Sequence, residues 1–368
     1  MVTPSRRRTL AILATAFAAC ATGQVAQAAP HGRARAPAAP GYANRRDVRR
    51  FIDELVRNDR FQRASLVRWL GDARYQERIV EAMQRPLLAP PKWYEYAPRF
   101  LNEEHIGAGV EFWLAHAQAL ERAEAEYGVP PEIVVAIVGI ETFYGRNTGS
   151  FRVIDALTTL AFDYPRRASY FRNELREFLL FARDEKLSPL TPRGSYAGAM
   201  GLPQFMPGSL RRYAVDFDGD GRIDLWNSGD DVVGSVANYL DRHDWVRGQP
   251  VWSKATVSAS QRDAALARLD GGVSERRSLT AWNADGVAPV GAPDPTVQEP
   301  VGLLLLEEQQ PDPSEGESTD PSQPAESLWI AYPNFYVITR YNKSRLYAAA
   351  VASLAQALRA AHDANPPP

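Results

Sequence analysis

GVPPEIVVAIVGIETFYGRNTG, residues 128–149, is the stretch on which the reading of this chain turns. From Ile133 to Ile140 it offers no polar face at the helical period, so the helix it predicts is buried. Pro130 and Pro131 suit its start, because proline is tolerated in a first turn. Phe143, Tyr144, Gly145 and Gly149 stop it and open toward a cleft. Glu141 ends the apolar run. Burial strips water from a carboxylate and raises its pKa, which keeps a proton available for a leaving group near neutral pH. Glu141 therefore reads as a general acid beside rings on which a sugar or another flat ligand can stack. From the helix alone, a glutamate that caps or pairs locally fits as well.

Around this stretch, 368 residues can bury a large core and form two or three domains. Hydrophobic residues make up 45% and charged residues 23%, an ordinary globular composition, and a net charge of -2 lacks the basic footprint of a nucleic-acid binder. The five histidines are scattered, so a cation site would use oxygen ligands. With one cysteine, Cys20, the folded part holds no disulfide, and no stretch beyond the N-terminus is long and apolar enough to span a bilayer.

Arg6, Arg7 and Arg8 precede an apolar stretch from Leu10 to Ala19 and small residues ending Ala26, Gln27, Ala28, the pattern of an export signal over 1–28. Ser5, Arg6 and Arg7 also fit a twin-arginine start. Two fates compete: cleavage after Ala28, or acylation of Cys20 as the first residue of a lipoprotein, although Phe17 fits a leucine-type lipobox poorly. The expected location is the periplasm, with anchoring to the outer membrane if Cys20 is acylated.

The fold class expected is α+β and mostly α-helical. Residues 29–44, rich in Ala, Pro, Arg and Gly, read as a flexible linker. Apolar steps of three and four make 45–127 an N-terminal helical domain, and 128–250 a helical core with helices over Tyr170 to Lys186 and Val232 to Arg242. β-branched and apolar runs over Thr256 to Ser260, Val301 to Leu306 and Leu328 to Thr339 predict strands of a small β domain at 251–333. Inside it, the Pro, Ser, Asp and Glu rich segment 309–327 predicts a disordered loop. Residues 334–365 return to helix and pack on the core.

Two further segments carry chemistry. KWYEY, residues 92–96, presents Trp93, Tyr94 and Tyr96 together, as a plug between helices or as a ligand platform. GSYAGAMGLPQFMP, residues 194–207, packs small residues that permit close backbone approach around Gln204, whose amide can donate to and accept from sugar hydroxyls or acetamides. Alone, that segment is a weak signal and fits a tight structural loop between helices better.

Together, these segments resemble the lytic murein transglycosylase B family, with its lysozyme-like catalytic core. ALTTLAFDYPRRASYF at 156–171, DFDGDGRIDLW at 216–226, GSVANYL at 234–240 and NFYVITRYNKS at 334–344 extend the resemblance over most of the chain. It implies cleavage of the β-1,4 bond between N-acetylmuramic acid and N-acetylglucosamine in peptidoglycan, leaving a 1,6-anhydro-muramoyl end, by a monomer whose partner is the glycan strand. Glu141 matches the family's catalytic acid. Ser195 and Gln204 match positions that contact substrate near the scissile bond, as do Tyr96, Phe205, Tyr239, Tyr341 and Asn342. Arg166 and Arg167 match a basic pair near the cleft, suited to substrate carboxylates; a surface salt-bridge pair is the other reading. Most glycosidases need two carboxylates. The neighbourhood of Glu141 offers no obvious second one, which suits a single Glu that protonates the glycosidic oxygen and later takes the proton of the C6 hydroxyl.

Asp216, Asp218, Asp220 and Asp224 reproduce the first nine positions of an EF-hand loop, with Arg222 offering its carbonyl and Gly221 the sharp turn. The twelfth position is Asn227 rather than Glu, so Asp231, or Asp230 beside it, is the closing carboxylate the resemblance implies. A structural Ca2+ is expected, with a solvated acidic turn as the alternative, and the chemistry itself calls for no cofactor. Two rival functions stand: a hydrolytic muramidase or chitinase in which Asp155 or Asp163 activates water, and a non-catalytic cell-wall-binding or scaffold protein.

Overall fold

The computed structural model describes residues 41–85, 89–291, 297, 300–309 and 325–364, which fall into two compact units. The export signal, Cys20 and the loop residues 310–324 lie outside the described residues.

The larger unit is helical. Its elements are α1 (Arg46–Asp59), α2 (Arg63–Asp72), α3 (Glu77–Gln84), α4 (Trp93–Tyr96), α5 (Glu103–Ala115), α6 (Ala117–Tyr127) and α7 (Pro131–Thr142). There follow β1 (Phe151–Arg152), α8 (Val153–Asp163), α9 (Ala168–Asp184), β2 (Arg193–Gly194), α10 (Pro207–Tyr213) and α11 (Gly229–Asp241). β1 and β2 pair antiparallel. α1 buries Val48, Phe51, Ile52 and Leu55, one stripe at three and four residue steps. α7 and α8 form the centre, and from Ile133 to Ile140 every residue of α7 is buried. α5, α6 and α11 pack on α7, while α3 and α9 pack on α8. Each large aliphatic side chain enclosed there contributes on the order of 1.5–3 kcal/mol.

Residues 45–127 and 128–248 thus share one unit rather than forming separate domains. The linker expected over 29–44 ends before Tyr42, which is buried and donates its hydroxyl to Asp163 at 2.5 Å. Tyr42 is the apolar-bodied anchor that the small, polar composition around it concealed.

The smaller unit, Gln249–Leu306 with Glu326–Ala349, is built on a sheet. Its strands are β3 (Trp252–Val257), β4 (Leu269–Asp270), β5 (Val273–Ser274), β6 (Val287–Pro289), β7 (Gly302–Glu308) and β8 (Ala325–Ala331), in spatial order β4-β5-β7-β8-β3-β6. β3 runs antiparallel to β8, with Trp252 opposite Ala331 and Lys254 opposite Trp329. Leu328 and Ile330 alternate onto one face and close a core with Leu303, Val301 and Trp282, whose indole donates to the Val301 carbonyl at 3.0 Å. Short helices α12 (Arg262–Leu266) and α13 (Leu279–Ala284) interrupt the strands.

The run read as strand over Leu328 to Thr339 is strand only to Ala331. Pro333 then opens α14 (Pro333–Tyr341), because proline has no N–H for the ladder and its fixed φ suits a first helical turn. In α15 (Arg345–Ala364) the chain passes from the smaller unit to the larger at Ala350, later than the boundary at 334 that the sequence suggested. Among the described residues, no helix is long and apolar enough to cross a membrane.

Candidate active site

α7 delivers Glu141 in its last turn. Glu141 is half-buried rather than enclosed, because the helix ends one residue later and the chain turns away from the core. Tyr96, at the end of α4, lies within reach of its charge: burial first, then the negative charge of Glu141, push the Tyr96 hydroxyl up to about 12. That phenol stays protonated at physiological pH and can both donate and accept. Its ring packs against Phe100 at 5.3 Å. Of its neighbours, Trp93 is buried and Tyr94 is exposed, so the three rings do not form one platform.

The turn after Glu141 is strained. Phe143 and Tyr144 adopt left-handed backbone with φ of 51° and 55°, which costs a non-glycine residue on the order of 1–3 kcal/mol. Phe143 is held by stacking on His105 at 4.2 Å, with the Arg146 guanidinium 4.3 Å from its ring centroid. Tyr144 is held by a slot in which a Cβ on Gly109 of α5 or Gly139 of α7 would overlap its hydroxyl. That hydroxyl is buried with no hydrogen-bond partner among the described residues.

The glycine-rich loop meets this turn. Thr142 donates its hydroxyl to the Leu202 carbonyl at 2.9 Å and accepts from the Gly145 N–H at 3.1 Å. Gln204, itself left-handed with φ 51°, donates its side-chain amide to the carbonyls of Gly201 at 2.9 Å and Thr148 at 3.2 Å. The amide oxygen of Gln204 accepts from no protein group among the described residues and is left for a ligand donor. Ser195 folds the loop onto itself: its N–H donates to the Ala199 carbonyl at 2.9 Å, and its hydroxyl accepts from the Ala199 N–H at 3.0 Å. Gly201 has φ 69°, and a Cβ there would lie 2.6 Å from the Leu225 carbonyl oxygen, so close approach as well as backbone freedom requires glycine.

Phe205 and Tyr239 are 2% and 7% exposed, with ring centroids 5.5 Å apart, so they back the loop rather than line an open surface. Arg166 is exposed, and the Arg167 guanidinium lies 4.3 Å from the Tyr170 ring centroid. Among the described residues neither arginine comes within 4.0 Å of a carboxylate oxygen, although the Arg167 charge acts on the Glu174 carboxyl. Tyr341 and Asn342 belong to the smaller unit, where Tyr341 stacks on Tyr347 at 6.4 Å and Asn342 accepts from the Ser344 N–H at 3.1 Å.

The two candidates for a second carboxylate are engaged elsewhere. Asp155 is 3% exposed, accepts from Arg152 at 2.7 and 3.0 Å, and accepts the Arg74 N–H at 3.0 Å. Asp163 accepts from the Tyr42 hydroxyl and from the Arg45 guanidinium, each at 2.5 Å.

In the acidic loop, carboxylate oxygens of Asp216, Asp218 and Asp231 lie within 4.8 Å of one another. Asp231 is 1% exposed, and burial raises its pKa against the pull of three backbone donors: Asp224 at 2.8 Å, Phe217 at 2.7 Å and Asp218 at 3.3 Å. Asp218 accepts from the Ser228 hydroxyl at 2.7 Å, which holds its carboxyl below the usual range. Asp220 stands outside this trio and accepts the Arg222 N–H at 2.8 Å. Three all-oxygen carboxylates converging on a glycine-bent turn are a donor set for a hard cation. Asp231, rather than Asp230, supplies the third of them.

Sequence reasoning passed over Thr142, His105 and the Gly139 slot. Only Gly139, a glycine inside a strongly helical run, carried a signal of close packing.

A model of the transglycosylase SLT domain matches residues 43–356. The membrane-bound lytic murein transglycosylase B of Escherichia coli (strain K12) is 41% identical over 332 residues, 86% of this chain and 84% of that protein. Soluble lytic transglycosylase SltB1 from Pseudomonas aeruginosa superposes with a TM-score of 0.76 at 44% identity, over 86% of this chain and 99% of that one. The Escherichia coli lytic transglycosylase Slt35 in complex with calcium gives a TM-score of 0.74 at 41% identity, over 88% and 95%. The lysozyme-like, mostly helical α+β class read from the motifs is the class of these structures. The chain belongs to the transglycosylase SLT domain family.

Proposed function

We propose that this chain is an exported peptidoglycan lytic transglycosylase in which Glu141 works alone, first as acid and then as base. The observation that carries this reading is that Glu141 is a half-buried carboxylate whose charge acts on the Tyr96 phenol, while the two candidates for a second carboxylate, Asp155 and Asp163, are each neutralised by an arginine. Glu141 gives its proton to the glycosidic oxygen as the bond from the muramoyl C1 breaks. The C6 hydroxyl of the same sugar then attacks C1, and its proton passes to the Glu141 carboxylate. The ring closes to the 1,6-anhydro form, no water is consumed, and the enzyme regains its starting state. The oxocarbenium-like intermediate is stabilised by the substrate acetamide and by fixed dipoles rather than by a second acid.

The Gln204 amide oxygen, the Ser195 hydroxyl and the Tyr96 phenol fix the sugars. Phe205 and Tyr239 support that loop from behind, and Arg166 and Arg167 meet carboxylates of the stem peptide. Asp216, Asp218 and Asp231, with Asp220 and the Arg222 carbonyl, hold a structural Ca2+, as the calcium complex of Slt35 supports. The enzyme acts in the periplasm, with Cys20 as an anchor to the outer membrane if it is acylated. Mass spectrometry of products from purified sacculi tests the chemistry. Muramoyl ends lacking one water relative to hydrolysed ends are expected, and hydrated reducing ends would overturn it. Glu141→Gln is expected to abolish release of either product; lysis surviving that substitution would remove Glu141 from the mechanism.

A further inference from the structure

Glu141 stands in the last turn of α7, which ends at Thr142 and is followed by two left-handed residues, Phe143 and Tyr144. Such a turn keeps its shape only where its surroundings over-determine it. Its backbone bonds are internal: the Phe143 N–H donates to the Gly139 carbonyl at 2.8 Å, and the Asn147 N–H to the Thr142 carbonyl at 2.9 Å. These bonds set the turn's curvature but do not place it against the loop that carries Gln204. The Thr142 side chain does so beside Glu141, while the Gln204 amide bond to the Thr148 carbonyl ties the far end of the turn. Thr142 is 1% exposed, and its hydroxyl proton goes to the Leu202 carbonyl while its lone pair takes the Gly145 N–H. Leu202 in turn donates its N–H to the Leu225 carbonyl at 2.8 Å, so the clamp closes on a loop already fixed from its far side.

We propose that Thr142 is a positioning residue for the transglycosylase reaction: its buried hydroxyl sets the place of Glu141 relative to the Gln204 loop. The proposal rests on Glu141 being the acid. A serine keeps the clamp, a valine of the same shape deletes it, and a cysteine weakens it because a thiol is a poor donor and acceptor. Valine leaves the partly buried Leu202 carbonyl and Gly145 N–H without their partner, and the turn relaxes out of register. A displacement near 1 Å of a catalytic group costs on the order of 10²-fold in rate.

Parent, T142S, T142C and T142V are compared for kcat and KM on soluble glycan oligomers, at a temperature below each variant's unfolding transition. T142S is expected within about threefold of the parent, with kcat falling through T142C to T142V by about 10²-fold at unchanged KM. A purely structural threonine would lower the unfolding temperature without splitting kcat from KM. T142V within threefold of the parent in kcat would overturn the proposal, as would T142S falling as far as T142V. If T142V does not fold, T142S against T142C decides: equal kcat overturns it, and a several-fold deficit in T142C at equal KM supports it. Failure of the underlying reaction is read separately, from hydrated product ends in the parent or from activity retained by Glu141→Gln.

Discussion

The side-chain amide of Gln204 donates to the backbone carbonyl of Thr148 at 3.2 Å, and so ties the glycine-rich loop to the turn that follows Glu141. A second N–H of the same amide satisfies the Gly201 carbonyl at 2.9 Å. With both hydrogens used on the protein, the amide oxygen is oriented before any ligand arrives. Gln204→Glu replaces the NH2 group with a carboxylate oxygen that faces two carbonyls. Each carbonyl deprived of its partner costs on the order of 1–3 kcal/mol. Loss of turnover together with a lowered unfolding temperature is expected, measured by product release and calorimetry. Parent-like stability in this variant would show that the amide does not hold the loop.

The acidic loop predicts a calcium-dependent shift in stability. Three carboxylates within 4.8 Å, one of them 1% exposed, repel until a cation joins them. A ligand that binds only the folded state stabilises by about 2.7 kcal/mol at a hundredfold excess over Kd. Chelated protein is expected to melt lower than protein with added Ca2+, and Asp231→Asn to abolish the difference. An unchanged melting temperature with Ca2+ would leave the loop a solvated turn.

The long apolar run and the punctuation around it made α7, Glu141 and the glycine loop legible, because period, proline and glycine are local signals. What was not legible depends on partners distant in sequence. Tyr42 looked like linker until Asp163, 121 positions away, accepted its hydroxyl. Phe205 and Tyr239 were recognised as family positions, but nothing in the residues says that their rings pack together behind the loop. Leu328 to Thr339 kept a strand-like composition past the point where Pro333 starts a helix.

The Tyr144 slot gives a pair of opposed outcomes. Its hydroxyl is buried with no partner among the described residues, so Tyr144→Phe removes an uncompensated polar group at little cost in packing. A gain on the order of 1 kcal/mol is expected, about 2–4 °C in unfolding temperature for a unit of this size. Gly139→Ala instead adds a Cβ that overlaps the same hydroxyl and lowers stability by about 1–3 kcal/mol. Thermal melts of the two variants check both signs, and a stabilised Gly139→Ala would refute the tight slot.

Glu174 gives the chain a pH dependence whose direction follows from burial. It is 5% exposed on α9, and its carboxylate accepts the Gly208 N–H at 2.8 Å, which fixes α10 just beyond the Gln204 loop. Burial raises its pKa and the Glu177 charge adds to that, while the Gly208 N–H, Arg212 and Arg167 oppose them. The folded protein therefore keeps a proton that the unfolded chain has already released, in the window above the ordinary glutamate value of about 4.3. Stability from this group is fully present below that value and is lost as pH rises through the folded pKa. Glu174→Gln removes the titration, and its amide oxygen still accepts from Gly208. The melting temperature of the variant minus that of the parent is expected to grow from pH 4 toward neutrality and then level off. A difference that stays flat or shrinks over that range would mean that the Gly208 N–H and the two arginines outweigh burial, and that Glu174 is held as a charged cap on α10.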